Sequence, residues 1–192
     1  AHLVDRVFPS VPVRQWVLTL PYPLRYRCAY DAKLTSEVLR AFLRALFAQL
    51  RRRIRRHWGA LAEQCGAVSF IQRFGSALNL NLHFHTLALD GAYAYAASHE
   101  QARRFLVLPP PSHDEVARVL AGTARRLHRL LAARAHKGAG TLFMIERAAS
   151  GRLGAVLAHH PELLGREQAA PFVVGAANGK QFGIHVWSSF MQ

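Results

Sequence analysis

Two histidines separated by one residue, His83 and His85, are the side chains of this sequence best suited to chemistry. On a β-strand, residues two apart point to the same side, about 6.6–7 Å apart along the backbone. Two imidazoles placed in this way can bind one divalent ion, while Phe84 anchors the strand in the core behind them. Asn79 and Asn81 continue the alternation, so this polar face needs a metal, a ligand or a hydrogen-bond network. A solvated sheet face with incidental histidines is the alternative.

A run of arginines is the second candidate for function. Five arginines occupy six positions at the far end of a predicted helix: Arg51, Arg52, Arg53, Arg55 and Arg56. Cations suit the C-terminal half of a helix, so a solvated helix end is one interpretation. The chain has 25 Lys and Arg against 11 Asp and Glu, a formal net charge of +14, which attracts nucleic acid or an anionic membrane surface. Phosphate contact by the run is therefore the other interpretation.

Length and composition exclude several classes of protein. The 192 residues, 51% hydrophobic and 19% charged, suffice for one domain with a core and do not indicate wholesale disorder. Asparagines and two histidines interrupt the longest uncharged stretch, so we predict no membrane partner, and residues 1–10 show no signal peptide. Cys28 and Cys65 lack Cys-x-x-Cys spacing, so a reduced pair in a cytosolic protein is favoured over a disulfide.

Hydrophobic periodicity predicts the elements that position these residues. The segment from Val13 to Leu20 is a predicted strand that ends at two prolines. Apolar steps of three and four residues from Val38 to Ile54 predict a helix with one buried stripe. The remaining predictions are strands at Ala67–Phe74 and Leu78–Leu89, a hairpin turn at Asp90-Gly91 with a return strand at Ala92–Ala96, a helix opened by the Ser112–Glu115 capping box and running to Arg134, and a final strand at Thr141–Ile145.

The order of these elements predicts the fold class. Strand, helix, strand, strand, short strand, helix, strand suits an α+β fold with an antiparallel sheet and both helices on one face, a ferredoxin-like split βαβ. Beyond about Ser150 the pattern dissolves into Gly, Ala and Pro. We therefore predict a domain over residues 1–149 and a divergent C-terminal tail over residues 150–192.

Tyrosines are the candidate nucleophiles. Tyr22, Tyr26 and Tyr30 have the four-residue spacing of a helical row. Pro21 and Pro23 argue against a helix at this point, so the three tyrosines are predicted to be packing residues outside a helix. Tyrosines 93 and 95 are likewise expected to pack on the return strand.

Two stretches resemble a known family. They are WVLTLPYPLRY, from Trp16 to Tyr26, and FIQRFGSALNLNLHFHTLALDG, from Phe70 to Gly91. Both are similar to the HUH rolling-circle transposases of the two-tyrosine type, the insertion-sequence ninety-one family. Leu106 to Pro111 and the helix that follows are similar too, so the likeness covers about residues 9–135.

The resemblance implies a nuclease domain that acts in DNA transposition. His83 and His85 would bind Mg²⁺ or Mn²⁺ next to the scissile phosphate of single-stranded DNA at the element ends. A helical tyrosine would attack that phosphate, leaving a 5′-phosphotyrosine and a free 3′-hydroxyl. The ion polarises the phosphate, and the covalent link conserves the bond energy for rejoining. A cytoplasmic, nucleoid-associated bacterial protein is implied.

The chain departs from this family in its nucleophile. The family carries a Tyr-x-x-x-Tyr helix after the second helix, whereas no tyrosine follows Tyr95 here, and the family's cysteine-rich zinc module is missing. The resemblance therefore predicts a truncated copy that binds DNA without forming a covalent link. A relaxase or replication initiator with the same chemistry is one alternative, in which Tyr22 or Tyr26 would be the nucleophile. A non-catalytic basic DNA-binding remnant is the other.

Further DNA contacts are expected around the histidines. If the strands pair about a Gly75-Ser76 turn, Gln72 lies opposite Asn79, about 13 Å from His83 along the strand and too far to bind the same ion. Gln72 is then expected to position a neighbouring side chain or the DNA. The predicted DNA-binding set is completed by Arg73, Asn79 and Asn81 together with the arginine run.

Overall fold

The structure is a computed structural model. It describes residues 7–60, 64–75, 79–95, 103–135, 176–177, 180–181 and 183–189. The elements are β1 (Val13–Thr19), α1 (Tyr22–Tyr30), α2 (Ala32–Trp58), β2 (Ala67–Phe74), β3 (Leu80–Leu89), β4 (Gly91–Tyr95), β5 (Arg103–Val107), α3 (His113–Ala135), β6 (Ala176–Ala177), β7 (Lys180–Gln181) and β8 (Gly183–Ser189). The strand predicted at Thr141–Ile145 lies outside the described residues.

A four-stranded antiparallel sheet organises the molecule, in the order β2-β3-β1-β8. The strand β3 is internal and pairs with β1 along its length, Val17 opposite His85 and Val13 opposite Leu89. The edge strand β8 comes from the predicted tail and pairs with β1, His185 opposite Val17. The α+β class and the antiparallel sheet are thus confirmed, while the division at residue 149 stays a prediction.

One side of the sheet is covered by the two long helices. Alternation along β1 and β3 turns Trp16, Leu18, Leu82 and Phe84 to this side, where their exposed fractions are 2% or less. They form one hydrophobic core with the buried stripe of α2 and with the apolar side of α3. Each fully buried apolar side chain of this size contributes about 1.5–3 kcal/mol. The prediction that the helices share one face is confirmed.

Local signals set the helix ends. The Asp31 carboxylate caps α2 by accepting the Leu34 backbone N–H at 2.7 Å, and Gly59 ends the helix at φ 63°. A left-handed φ is costly for residues with a Cβ, which explains glycine at this position. The predicted capping box of α3 is confirmed: the Ser112 N–H donates to Glu115 Oε2 at 2.9 Å, and the Glu115 N–H donates to Ser112 Oγ at 3.4 Å.

The helix α1 contradicts the sequence prediction. Its N-cap is Pro21, and Pro23 is its second residue. The backbone N–H groups of the first helical turn have no partner within the helix, so proline there sacrifices no hydrogen bond. The prolines therefore begin this helix, and the prediction that they exclude one was wrong.

The hairpin predicted at Asp90-Gly91 is also wrong. The strand β4 pairs with β5 in a separate two-stranded sheet, Gly91 opposite Val107 and Tyr95 opposite Arg103. Asp90 is 6% exposed and accepts a hydrogen bond from Arg14 Nε at 3.1 Å. A Cβ on Gly91 would lie 2.2 Å from the Leu106 carbonyl oxygen, so the close approach of β5 requires glycine. The chain thus passes from β3 directly into the second sheet.

Two further observations concern the cysteines and the helices. Cys28 is buried and Cys65 partly buried, and both thiols are free. No helix in the described ranges combines the length and the apolar character needed to cross a membrane.

Candidate metal and nucleic-acid site

The two histidines lie on the internal strand β3, on the side of the sheet opposite α2. His83 is flanked by Thr19 of β1, and His85 by Val17 of the same strand. Alternation places Asn81 on this side as well. We call the surface the histidine face; it comprises Gln15, Val17, Thr19, Phe70, Gln72, Asn81, His83 and His85. The predicted common face of Asn81, His83 and His85 is therefore present.

The imidazole rings lie close together and each is fixed through Nδ1. Their centroids are 4.8 Å apart and their planes are inclined by 59°. His83 Nδ1 donates to the Asn81 carbonyl oxygen at 2.5 Å, and His85 Nδ1 lies 2.7 Å from the side-chain amide of Gln15. The atom of Gln15 that faces His85 is the amide nitrogen, Nε2, which donates to Nδ1, so in this arrangement the ring proton of His85 lies on Nε2. Reversing the Gln15 amide would bring its oxygen to Nδ1 and leave a lone pair on His85 Nε2, the arrangement in which a histidine binds a metal.

His85 has a buried nitrogen without a partner. Among the described residues no group bonds to its Nε2, which is shielded from solvent. Burial lowers the pKa of His85, and the neighbouring His83 lowers it further. The ring is therefore neutral at pH 7, the form that binds metal ions. With the Gln15 amide reversed, this buried nitrogen next to a second imidazole fits a metal ligand.

Gln72 lies much closer to the histidines than predicted. The register places it directly opposite His83, and shifts between Gln72 and Phe74, which lies opposite Leu80. Directly opposite Cβ atoms are about 4.5–5.5 Å apart, so the predicted register opposite Asn79 was wrong. The amide nitrogen of Gln72 donates to the Phe74 carbonyl oxygen at 3.3 Å, which leaves the amide oxygen of Gln72 available to bind an ion.

The donor set limits which ion fits. The described residues contain no group of three or more His, Cys, Asp or Glu side chains around a common point. The histidine face offers two imidazoles, from His83 and His85, and one amide oxygen, from Gln72. Mg²⁺ is held almost entirely by oxygen ligands, whereas Mn²⁺ is a transition-metal ion that accepts imidazole nitrogen as well as oxygen ligands. The residues present thus fit Mn²⁺ better than Mg²⁺.

The remaining polar candidates lie near the β2–β3 connection. Asn79 is exposed just before β3, and its carbonyl oxygen accepts the Gly75 N–H at 3.0 Å. Arg73 is exposed on β2, and its Nη1 donates to the Ala29 carbonyl oxygen of α1 at 2.9 Å. Both residues are accessible at the end of the sheet where His83 lies.

The arginine run divides into two groups. Arg53 is 2% exposed, its Nε lies 3.1 Å from Glu115 Oε2, and it also donates to the Pro109 carbonyl oxygen. Arg56 donates to the other oxygen of Glu115. These two arginines join α2 to α3. Arg53 is buried and is not available to DNA in the way the sequence suggested, whereas the Arg56 side chain is still 55% exposed. The other exposed members of the run are Arg51, Arg52 and Arg55.

The burial of Arg53 could have been found in the sequence. It lies seven positions after Leu46 and three after Leu50, both of which are buried. That spacing belongs to the apolar stripe of the helix. A charged residue on such a stripe needs an opposite charge, which Glu115 supplies.

Three tyrosines form an exposed row on α1, so their prediction as packing residues was wrong. Tyr22, Tyr26 and Tyr30 are 61%, 50% and 76% exposed. The first two ring centroids are 6.4 Å apart and the last two 5.0 Å. This helix begins three residues after Thr19, which lies opposite His83. The tyrosine row therefore stands at the same end of the sheet as the histidine pair.

A comparison with known families supports one class of function. Residues 66–149 match a family model described as "Putative transposase". The match supports a transposase family. No curated protein and no solved structure matches the chain significantly.

The transposase match covers only part of the site. Its residues include β2, β3 and α3, and with them Gln72, Asn81 and both histidines. The tyrosine row and the arginine run precede residue 66. The match thus covers the β2 and β3 residues of the histidine face and leaves out Gln15, Val17 and Thr19 of β1.

Proposed function

We propose that the chain is a transposase nuclease domain of the HUH type that binds single-stranded DNA at element ends. The observation that carries this proposal is the histidine pair, in which both Nδ1 atoms are engaged and the Nε2 of His85 is buried without a partner. The match of residues 66–149 to a transposase family supports it.

Each residue of the histidine face has a role in this proposal. His83 and His85 hold a divalent ion through Nε2, and Gln72 completes the protein's ligands with its amide oxygen. Gln15 and the Asn81 carbonyl fix the two rings. The ion, when bound, polarises the scissile phosphate and stabilises the charge that develops on it during transesterification.

The DNA strand is held by aromatic and amide groups rather than by a dense cationic surface. Phe70 lies directly opposite His85 and is 44% exposed, so a base can stack on its ring next to the ion. Asn79 and Asn81 offer amide donors and acceptors, and Arg73 offers a cation at the same end of the sheet.

Metal binding tests this proposal. Calorimetric titration with Mn²⁺ should show one site, and His83→Ala or His85→Ala should each weaken it at least tenfold. The matched control is His128→Ala on the exposed side of α3, which should leave the affinity unchanged. Equal affinity in the wild type and both site variants would overturn the assignment of the metal site.

A second candidate function is a relaxase or replication initiator, and the tyrosine row favours it. In such a reaction a tyrosine Oη attacks the phosphorus, the bond to the 3′-oxygen breaks, and the departing oxygen takes a proton. Tyr22 and Tyr26 present exposed hydroxyls on a helix beside the histidine end of the sheet. Attack requires the hydroxyl in line with the phosphorus at about 3–3.5 Å.

Covalent trapping separates the two candidates. We expect this chain alone, with Mn²⁺ and a labelled oligonucleotide, to bind DNA without a protein–DNA adduct on a denaturing gel, because the sequence has no tyrosine after Tyr95. An adduct that disappears in Tyr22→Phe or Tyr26→Phe, and persists in Tyr93→Phe, would establish the relaxase-like reaction instead. If the chain bound no single-stranded DNA at all, both candidates would be wrong.

A further inference from the structure

A second basic surface lies on the helical side of the molecule. A groove of about 560 Å³ runs between α2 and α3 and is lined by Glu37, Arg40, Ala41, Arg44, Arg126, Arg129 and Leu130. We call it the arginine groove. Because the helices cover the side of the sheet opposite the histidine face, the two surfaces are separated by the sheet and the core.

Glu37, the single acidic residue that lines the groove, is already paired with an arginine. Arg134 lies 2.8 Å from Glu37 Oε2 and 2.7 Å from Asp31 Oδ2. Within the described ranges, the four arginines of the groove form no ion pair. Arg126 and Arg129 donate only to the backbone carbonyl oxygens of Gly122 and Arg125, at 2.9 and 3.3 Å. Such contacts orient a guanidinium but leave its charge uncompensated.

Small residues allow the two helices to approach under these arginines. A Cβ on Gly122 of α3 would lie 3.3 Å from the Cβ of Ala45 of α2, which is closer than ordinary packing. The helices run antiparallel, since Arg56 meets Glu115 at one end and Arg134 meets Glu37 at the other. Two rows of arginines therefore project from adjacent helices over a shallow, partly apolar floor.

The row on α2 extends beyond the groove. Arg40, Arg44, Arg51 and Arg55 follow one another at intervals of four, seven and four residues, which keeps them on one face of the helix, and all are exposed. From Arg40 to Arg55 the row is about 22 Å long at 1.5 Å per residue. Phosphates along one strand of B-DNA advance about 3.4 Å per step, so the row matches roughly six base pairs.

The surroundings of the groove favour a duplex over a single strand. The groove itself has no large exposed apolar side chain among the described residues: these lie on α1, on β2 and β5, at Val7 and at Trp58, which follows the far end of the arginine row. Sites for single-stranded DNA combine charge with aromatic rings on which bases stack. A duplex hides its base faces and presents phosphates, which arginine binds with two parallel hydrogen bonds.

We propose that the arginine groove and its extension along α2 bind the phosphodiester backbone of duplex DNA. This site is distinct from the histidine face and does not depend on the metal. The chain can thereby hold a duplex on one side of the sheet while a single strand occupies the other.

Charge reversal tests the groove. Arg40→Glu and Arg44→Glu are compared with Arg104→Glu, an exposed arginine on β5 outside the groove that gives the same change in net charge. Anisotropy titrations of a labelled duplex of about 20 base pairs should show at least tenfold weaker binding for each groove variant and less than about threefold for the control. The log–log salt slope should fall by about 0.9 for each phosphate that the variant no longer neutralises.

Other outcomes would overturn the inference. If the groove variants and the control weaken duplex binding equally, only the overall charge matters. If the groove variants lose binding to vesicles rich in phosphatidylserine while duplex binding is kept, the site recognises a membrane surface instead. His83→Ala should leave duplex affinity unchanged. The proposed metal site can therefore fail its own test without changing the result of the duplex titration.

Discussion

The two sides of the sheet differ in the chemistry that they expose. The histidine face carries imidazoles, amides and an exposed phenyl ring, whereas the groove between α2 and α3 is lined by arginines and by no aromatic residue. Among the described residues, arginines thus cluster along α2 and α3 rather than beside the two histidines. A strongly basic composition by itself therefore does not locate the candidate metal site.

The same division applies within the arginines. Arg53 and Arg56 point to Glu115, while Arg51, Arg52 and Arg55 lie on the solvent side of the same helix. The helical repeat of 3.6 residues turns each residue about 100° from the one before it. The run therefore contains a buried cluster of Arg53 with Glu115, joined by the exposed Arg56, and a cationic surface formed by the other three arginines.

The largest expected effect is on the buried cluster. Glu115→Ala leaves Arg53 buried without its partner, and breaking a buried pair in this way costs about 3–5 kcal/mol in the free energy of unfolding. Urea titration followed by circular dichroism measures the loss. Asp114→Ala, in the same first turn of α3 but exposed, is the matched control and should cost much less. Equal losses would show that Glu115 stabilises the protein only as an acidic residue in the first turn of α3, and not through its ion pair with Arg53.

A smaller effect is expected on the histidine face. Phe70→Ala should weaken the binding of a single-stranded oligonucleotide by about 1–3 kcal/mol, the contribution of one stacked base. Val107→Ala on β5, equally exposed at 45% against 44%, removes apolar area away from the histidines and should have little effect. Duplex binding should be unchanged in both variants. If Phe70→Ala weakened duplex binding as much, the two surfaces would not be separate.

Regular patterns in the sequence predicted the scaffold of both sides. The strict alternation around His83 and His85 predicted the histidine face, and the steps from Val38 to Ile54 predicted the buried stripe of α2. The capping box at Ser112 predicted the start of α3. These signals are local, because each depends only on the geometry of one strand, one helix or one turn.

Features set by distant residues were missed. The register of Gln72 opposite His83 depends on a shift between β2 and β3, and no residue pattern specified it. The pairing of β4 with β5 rather than β3 accompanies the burial of Asp90 against Arg14, 76 residues away in sequence. For α1, the signal was present but misread, because Pro23 lies in the first turn, where proline is tolerated.

The smallest expected effect is the pH dependence of the buried cluster. Burial by itself raises the pKa of Glu115, but the Ser112 N–H, Arg53 and Arg56 outweigh it, so the pKa lies below its ordinary value of 4.5. The unfolded state then binds more protons than the folded state in this range, and the stabilisation is present above pH 4.5 and lost as pH falls through the lowered pKa. Glu115→Gln, which keeps the shape but cannot titrate, should therefore be less stable than the wild type at pH 6, with the difference shrinking below pH 4. A difference in stability that stayed constant with pH would mean that the charge of the Glu115 carboxylate does not stabilise the buried Arg53. The electrostatic distinction between Arg53 and the exposed arginines of the run would then be wrong.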